Sequence, residues 1–235
     1  MQSRSAQLDV EDRMALRCFG YGQWTAPFWF IGPEQGQSRS EANDLEPRIS
    51  AWLQLGASEL TDCRAFHDLL PNCHWHRDSK PPLQATWRYL MLLLLTYLDQ
   101  PSDPESRRTY QRDHWGRQDC GETCVIELSG LPANSFKVSR NREQYRHERI
   151  RIIRERIQAH RPRLVVMYGQ SDRQHWNTIA GTDLIPNVPK TIGPTTFLFA
   201  APHPTAPGTT NAHWIRLGTA LRSLSKADAQ EKLLH

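Results

Sequence analysis

The chain lacks any apolar run long enough to cross a membrane. A spanning helix needs ~20 apolar residues, and the longest stretch, Leu90–Leu95, gives way to Thr96, Tyr97 and Asp99. The opening residues, MQSRSAQLDVEDR, hold no apolar segment of the kind a secretory leader requires, so none is expected. Five cysteines in 235 residues are an odd number for a disulfide framework, and they read as reduced thiols of a cytoplasmic protein. Internal repeats, low-complexity linkers, a Walker loop and a Gly-x-Gly-x-x-Gly fingerprint are all missing. No carboxylate cluster suited to Mg²⁺ stands out, which places a phosphate-ester hydrolase low. Charge bias is small too. With 29 Lys and Arg against 25 Asp and Glu, the net charge of +4 permits a polyanionic partner without requiring one.

What is present is a globular composition, 38% hydrophobic and 23% charged. The length supports a core without a metal or disulfide staple, and the reading is one domain over 1–235 with residues 1–18 as a loosely docked extension. Four short apolar runs read as strands: Pro27–Gly32, Thr123–Leu128, Leu164–Tyr168 and Thr195–Ala201. Helices are expected over Ser40–Leu55, Glu59–Leu70, Gln84–Leu98, Asn141–His160, Asp172–Ala180 and Asn211–Leu224, and Pro101–Gly121 as a loop with helical pieces. Strands alternating with helices predict an α/β fold, a three-layer α/β/α arrangement around a central, mainly parallel four-stranded sheet. Nine arginines between Arg140 and Arg163, diluted by Glu143, Glu148 and Glu155, read as a solvated helix face with i,i+4 ion pairs. A phosphate-binding stripe is the alternative.

In such a sheet, ligands bind where the strands end. The first strand is followed by Gly32-Pro33-Glu34-Gln35-Gly36, the last by His203-Pro204-Thr205. A carboxylate and an imidazole from opposite ends of the chain thus converge on one edge, a pair suited to hydrolysis. These two motifs, with two parallel strands between them, resemble the uracil-DNA glycosylase superfamily over roughly Pro27 to Leu224. The resemblance implies a DNA glycosylase that flips a nucleotide from DNA, orients water with Glu34 and donates to the leaving base with His203. Gly32, Gln35 and Gly36 would line the base. Phe66 or Trp75 would stack on it, and Ser129, Asn134 or Glu127 would read its edge. Pro204, Thr205, Gly208, Gln170 and Ser171 would face the DNA.

The chain departs from the superfamily pattern at Gln35 and Pro33, and in the missing asparagine and aromatic. These departures point to a damaged or bulky modified base, including those of phage DNA, rather than strict uracil. A binding module that kept the fold and lost catalysis is the rival reading. The expected partner is DNA, with no membrane, and the chain is expected to act as a monomer without a cofactor. Cys63, His67, Cys73, His74 and His76 lie close in sequence, but their spacing matches no standard zinc pairing. Core thiols and surface histidines are expected there, with no metal.

Overall fold

The computed structural model describes residues 2–33, 45–71, 73–131 and 142–233. Its strands are β1 (Gly20–Tyr21), β2 (Phe28–Gly32), β3 (Leu60–Thr61), β4 (Thr123–Glu127), β5 (Leu164–Tyr168), β6 (Lys190–Ile192) and β7 (Thr195–Ala200). Its helices are α1 (Gln2–Arg17), α2 (Leu45–Gln54), α3 (Cys63–Asp68), α4 (Trp87–Tyr97), α5 (Pro104–Asp113), α6 (Arg142–His160), α7 (Arg173–Ala180) and α8 (Asn211–Leu233).

The sheet is α/β as expected, but it is mixed and seven-stranded, in the order β3-β1-β4-β2-β5-β7-β6. The expectation of four strands fails at the margins. β1 runs antiparallel to β4, and β6 antiparallel to β7. Segments of two or three residues are too short to show an alternation that sequence periodicity can register. β4, β2, β5 and β7 pair in parallel, so Glu127, Gly32, Tyr168 and Ala200 end on one edge.

Alternate residues of these strands feed two cores. Phe28, Phe30, Val125, Val166 and Leu198 pack with α4 and α8 on one face. Trp29, Ile31, Ile126, Val165 and Phe199 pack with α6 and α7 on the other. A strand covered on both faces has no polar side to show, and β2, β4 and β5 are buried throughout.

Three local expectations change. Residues 59–70 divide into β3 and the short α3, because Asp62 caps a new helix by accepting from Ala65 N–H at 3.0 Å. The stretch 101–121 contains α5, capped by Asp103 with Pro104 in its first turn. The segment expected to be loosely docked forms α1 over Gln2–Arg17, and its last turn is docked, with Met14 and Ala15 buried.

Arg149 explains that docking. It is fully buried on α6 and donates to four carbonyls. Two, Ala15 O at 3.1 Å and Leu16 O at 3.3 Å, belong to the open C-terminal turn of α1. The other two, Glu127 O at 2.6 Å and Leu128 O at 3.1 Å, lie at the end of β4. Its guanidinium also sits 4.1 Å over the Phe19 ring. A cation at a helix C-terminus meets the negative end of the helix dipole. Arg151, two residues on, is solvated and pairs with Glu148 and Glu155 as the charge pattern predicts. No helix among the described residues is long and apolar enough to cross a membrane, and all five cysteines are free.

Candidate functional site at the carboxyl edge of the sheet

The site begins at Gly32, the last residue of β2, which pairs with Glu127 of β4. Its missing side chain leaves room that two neighbours fill. A β-carbon there would stand 2.2 Å from Tyr168 Oη and 2.6 Å from Glu127 Oε2. The phenol and the carboxylate thus meet over the glycine, both buried. Burial pushes the Tyr168 phenol well above its ordinary range, and the Glu127 charge pushes it further. The phenol stays protonated as a donor at neutral pH. Gly32→Ala is therefore expected to cost about 1–3 kcal/mol, as overpacking does, and to displace both groups. A urea midpoint unchanged from wild type would contradict this packing.

His203 stands beside this pair. Its ring meets Tyr168 edge-on, with centroids 5.3 Å apart. Thr205 N–H donates to His203 Nδ1 at 3.2 Å, and Thr205 Oγ1 lies 2.9 Å from the same nitrogen. Since Nδ1 accepts from the backbone, the ring proton sits on Nε2. Burial lowers the His203 pKa below the ordinary histidine value, and the Asp172 carboxylate offsets part of that shift. The imidazole is neutral and presents an Nε2–H. The space beside Gly169 is bounded by His203 Cδ2 and Pro33 Cγ, 3.8 and 4.0 Å from where a β-carbon would stand. Loops after β2, β5 and β7 thus share one wall. Trp176 Nε1 holds it from behind by donating to Gly169 O at 2.8 Å.

Of the residues singled out from sequence, Gly32, Glu127 and His203 gather around Tyr168. Glu34, Gln35, Gly36 and Asn134 lie outside the described residues. Phe66 does not face the edge. It is fully buried against Tyr21, 5.5 Å between centroids, and offers no ring face to a base. Trp75 is half-buried, on the loop before α4. Ser129 is buried, with its hydroxyl turned into its own loop and donating to Leu131 O at 3.1 Å. Thr205 orients His203, Pro204 beneath it is buried rather than outward-facing, and Gln170, Ser171 and Gly208 are exposed. His67 and His76, expected at the surface, are buried. Loss of hydration lowers their pKa values to about 3 and about 4.

Two groups escaped the sequence reading. Tyr168 closes an otherwise apolar strand, and a polar last residue directly before Gly169 was the available signal. The second is a basic cavity of about 620 Å³ lined by Arg88, Tyr89, Arg107, Arg108 and Asn211, the first residue of α8. Arg107 is buried, donates to Arg88 O at 3.2 Å, and its Nε has no partner. The cavity adjoins the histidine loop. Tyr89 Oη donates to Thr209 O at 3.4 Å, and Thr209 Oγ1 donates to His203 O at 3.3 Å. No model of a known protein family matches the chain, and no curated protein sequence matches it.

Proposed function

We propose that the protein is a DNA glycosylase that hydrolyses the N-glycosidic bond of a damaged or modified base, acting as a monomer in the cytoplasm. The observation that carries this reading is the neutral His203, with its Nε2–H held at the strand edge where Gly32, Glu127, Tyr168 and Gly169 meet.

A flipped nucleotide brings its base to this edge, at a cost of a few kcal/mol in lost stacking. As the glycosidic bond lengthens, negative charge develops on the base and positive charge on the sugar. His203 donates its Nε2 hydrogen bond to the departing base. A neutral donor serves here because it stabilises the anion without first needing a proton from solvent. Glu34, two residues beyond β2, orients the attacking water and opposes the sugar's charge. At ~4 Å and an effective dielectric of ~20, such a charge is worth about 4 kcal/mol before desolvation. Glu127 and Tyr168 offer the base an acceptor and a donor. The arginine cavity gives a phosphate of the DNA backbone a place to bind beside the histidine loop.

The test is an abasic-site assay over duplexes carrying uracil, damaged and bulky modified pyrimidines. Cleavage after alkali on at least one is expected. Because burial holds the His203 pKa below its ordinary value, the imidazole stays neutral through pH ~6.5 and the single-turnover rate is expected to show no inflection there. An inflection at or above that pH would contradict the neutral-donor role. The burial of Phe66 and the inward turn of Ser129 favour the second reading, a binding module on the same fold. Binding without product on every duplex would support that reading instead.

A further inference from the structure

The short helix α3 and the loop before α4 bring together three side chains that the proposed reaction does not use. Cys63, His67 and His76 each offer one donor atom, and these atoms all lie within 4.8 Å of one another. Cys63 Sγ is 3.5 Å from His67 Nδ1 and 3.6 Å from His76 Nε2. Zinc bonds of ~2.3 Å to sulfur and ~2.0 Å to nitrogen, at tetrahedral angles, hold those atoms about 3.5 Å apart. All three residues are buried.

The protons do not serve this cluster well on their own. Cys63 has one thiol proton for two imidazoles. His67 Nδ1, 2.7 Å from Cys63 O and 3.5 Å from Cys63 Sγ, cannot donate to the carbonyl and accept from the thiol at once; as a metal ligand it would carry its proton on Nε2 instead. His76 Nδ1 is sealed from solvent with no partner. The surrounding rings of Tyr21, Phe66 and Trp87 supply no counter-charge and exclude water.

The chain between α3 and α4 is a long connection with no regular secondary structure among its described residues, yet it buries His76 completely. Connections of this length are uncommon without a function or an anchor. One anchor is Gln111, whose Nε2 donates at 2.9 Å to both Trp75 O and Pro82 O. A second, at the His76 end, would close the loop onto α3.

We infer that Cys63, His67 and His76 form a structural zinc site that clips the loop before α4 to α3. Cys73, half-buried on the same loop and packed against the same core, lies outside the three-donor cluster and would move in to supply the fourth ligand. Binding exchanges thiol protons for the metal, and no electron changes hands. With Cys73 bound, two thiolates and two neutral imidazoles make the buried site neutral overall, which suits the aromatic rings packed around it.

The test uses the full chain purified without chelators and dialysed. Elemental analysis is expected to find one zinc per chain. Stripping with a chelator should lower the thermal midpoint, and added zinc should restore it. Cobalt(II) in its place should give the thiolate charge-transfer band and the strong visible bands of a tetrahedral site. His76→Gln should lose the metal. Where that variant does not fold, Cys73→Ser, at a half-exposed position, should still weaken the cobalt charge-transfer band. Zinc well below one per chain, with no stabilisation by added zinc and no cobalt bands, overturns the site. A full zinc complement and an unchanged cobalt spectrum in Cys73→Ser overturns the fourth ligand.

Discussion

Replacing His203 by alanine will slow base release by roughly 10²–10⁴-fold, the range for loss of a positioned proton donor, while the protein stays folded. The side chain is half-buried in a loop beyond the last strand and meets the Tyr168 ring edge-on, so its removal leaves the strands paired. What it removes is a donor whose direction is fixed from behind by Thr205. Thr205→Val keeps the backbone N–H that bonds Nδ1 and deletes the hydroxyl, so it should cost far less than His203→Ala. Single-turnover rates on a confirmed substrate, with thermal melts of the same samples, check both. Full activity in His203→Ala would end the assignment.

Arg149→Leu is expected to destabilise the protein by about 3–5 kcal/mol, the scale for removing one partner from a buried charged cluster. The leucine matches much of the volume but leaves four buried carbonyls without their donor, two on α1 and two at the end of β4. The arginine stays charged at neutral pH even though burial pushes its pKa down to about 10. Glu127 is itself at the freed strand end, so base release should fall along with stability. A urea titration gives the number. A loss under about 1 kcal/mol, the ordinary worth of one hydrogen bond, would mean that the four contacts do not hold α1 to the sheet.

These two residues also mark what the sequence makes legible. His203 stands between prolines directly after an apolar strand, and a strand end is where a parallel sheet collects its ligands. The four long strands and most helices are equally open to reading, because double burial produces unbroken apolar runs and caps leave local signatures. Arg149 was not readable. It sits among nine arginines of similar spacing, and which one turns inward depends on α1 and β4 arriving from remote parts of the chain. Strands β1, β3 and β6 were hidden for a related reason, since their pairing is decided by neighbours rather than by their own two or three residues.

Tyr168 and Glu127 show the same limit within the site. Each ends a strand, yet their meeting depends on the absent side chain of Gly32 between them. His67 and His76 look like surface histidines in sequence. Only the fold of the loop before α4 brings both against Cys63. Phe66 lost its expected role because α3 turns its apolar side to the core. A ring chosen from its distance along the chain carries no information about facing.

The measurement that bears most directly on the proposed activity is mass spectrometry of the free bases released when the full-length chain is incubated with DNA of varied modification, phage DNA included. The account predicts one class of intact base in solution, an equal number of abasic sites in the DNA, and neither product with His203→Ala. DNA that is bound yet yields no free base from any source, or base release that persists undiminished without the imidazole, would contradict it.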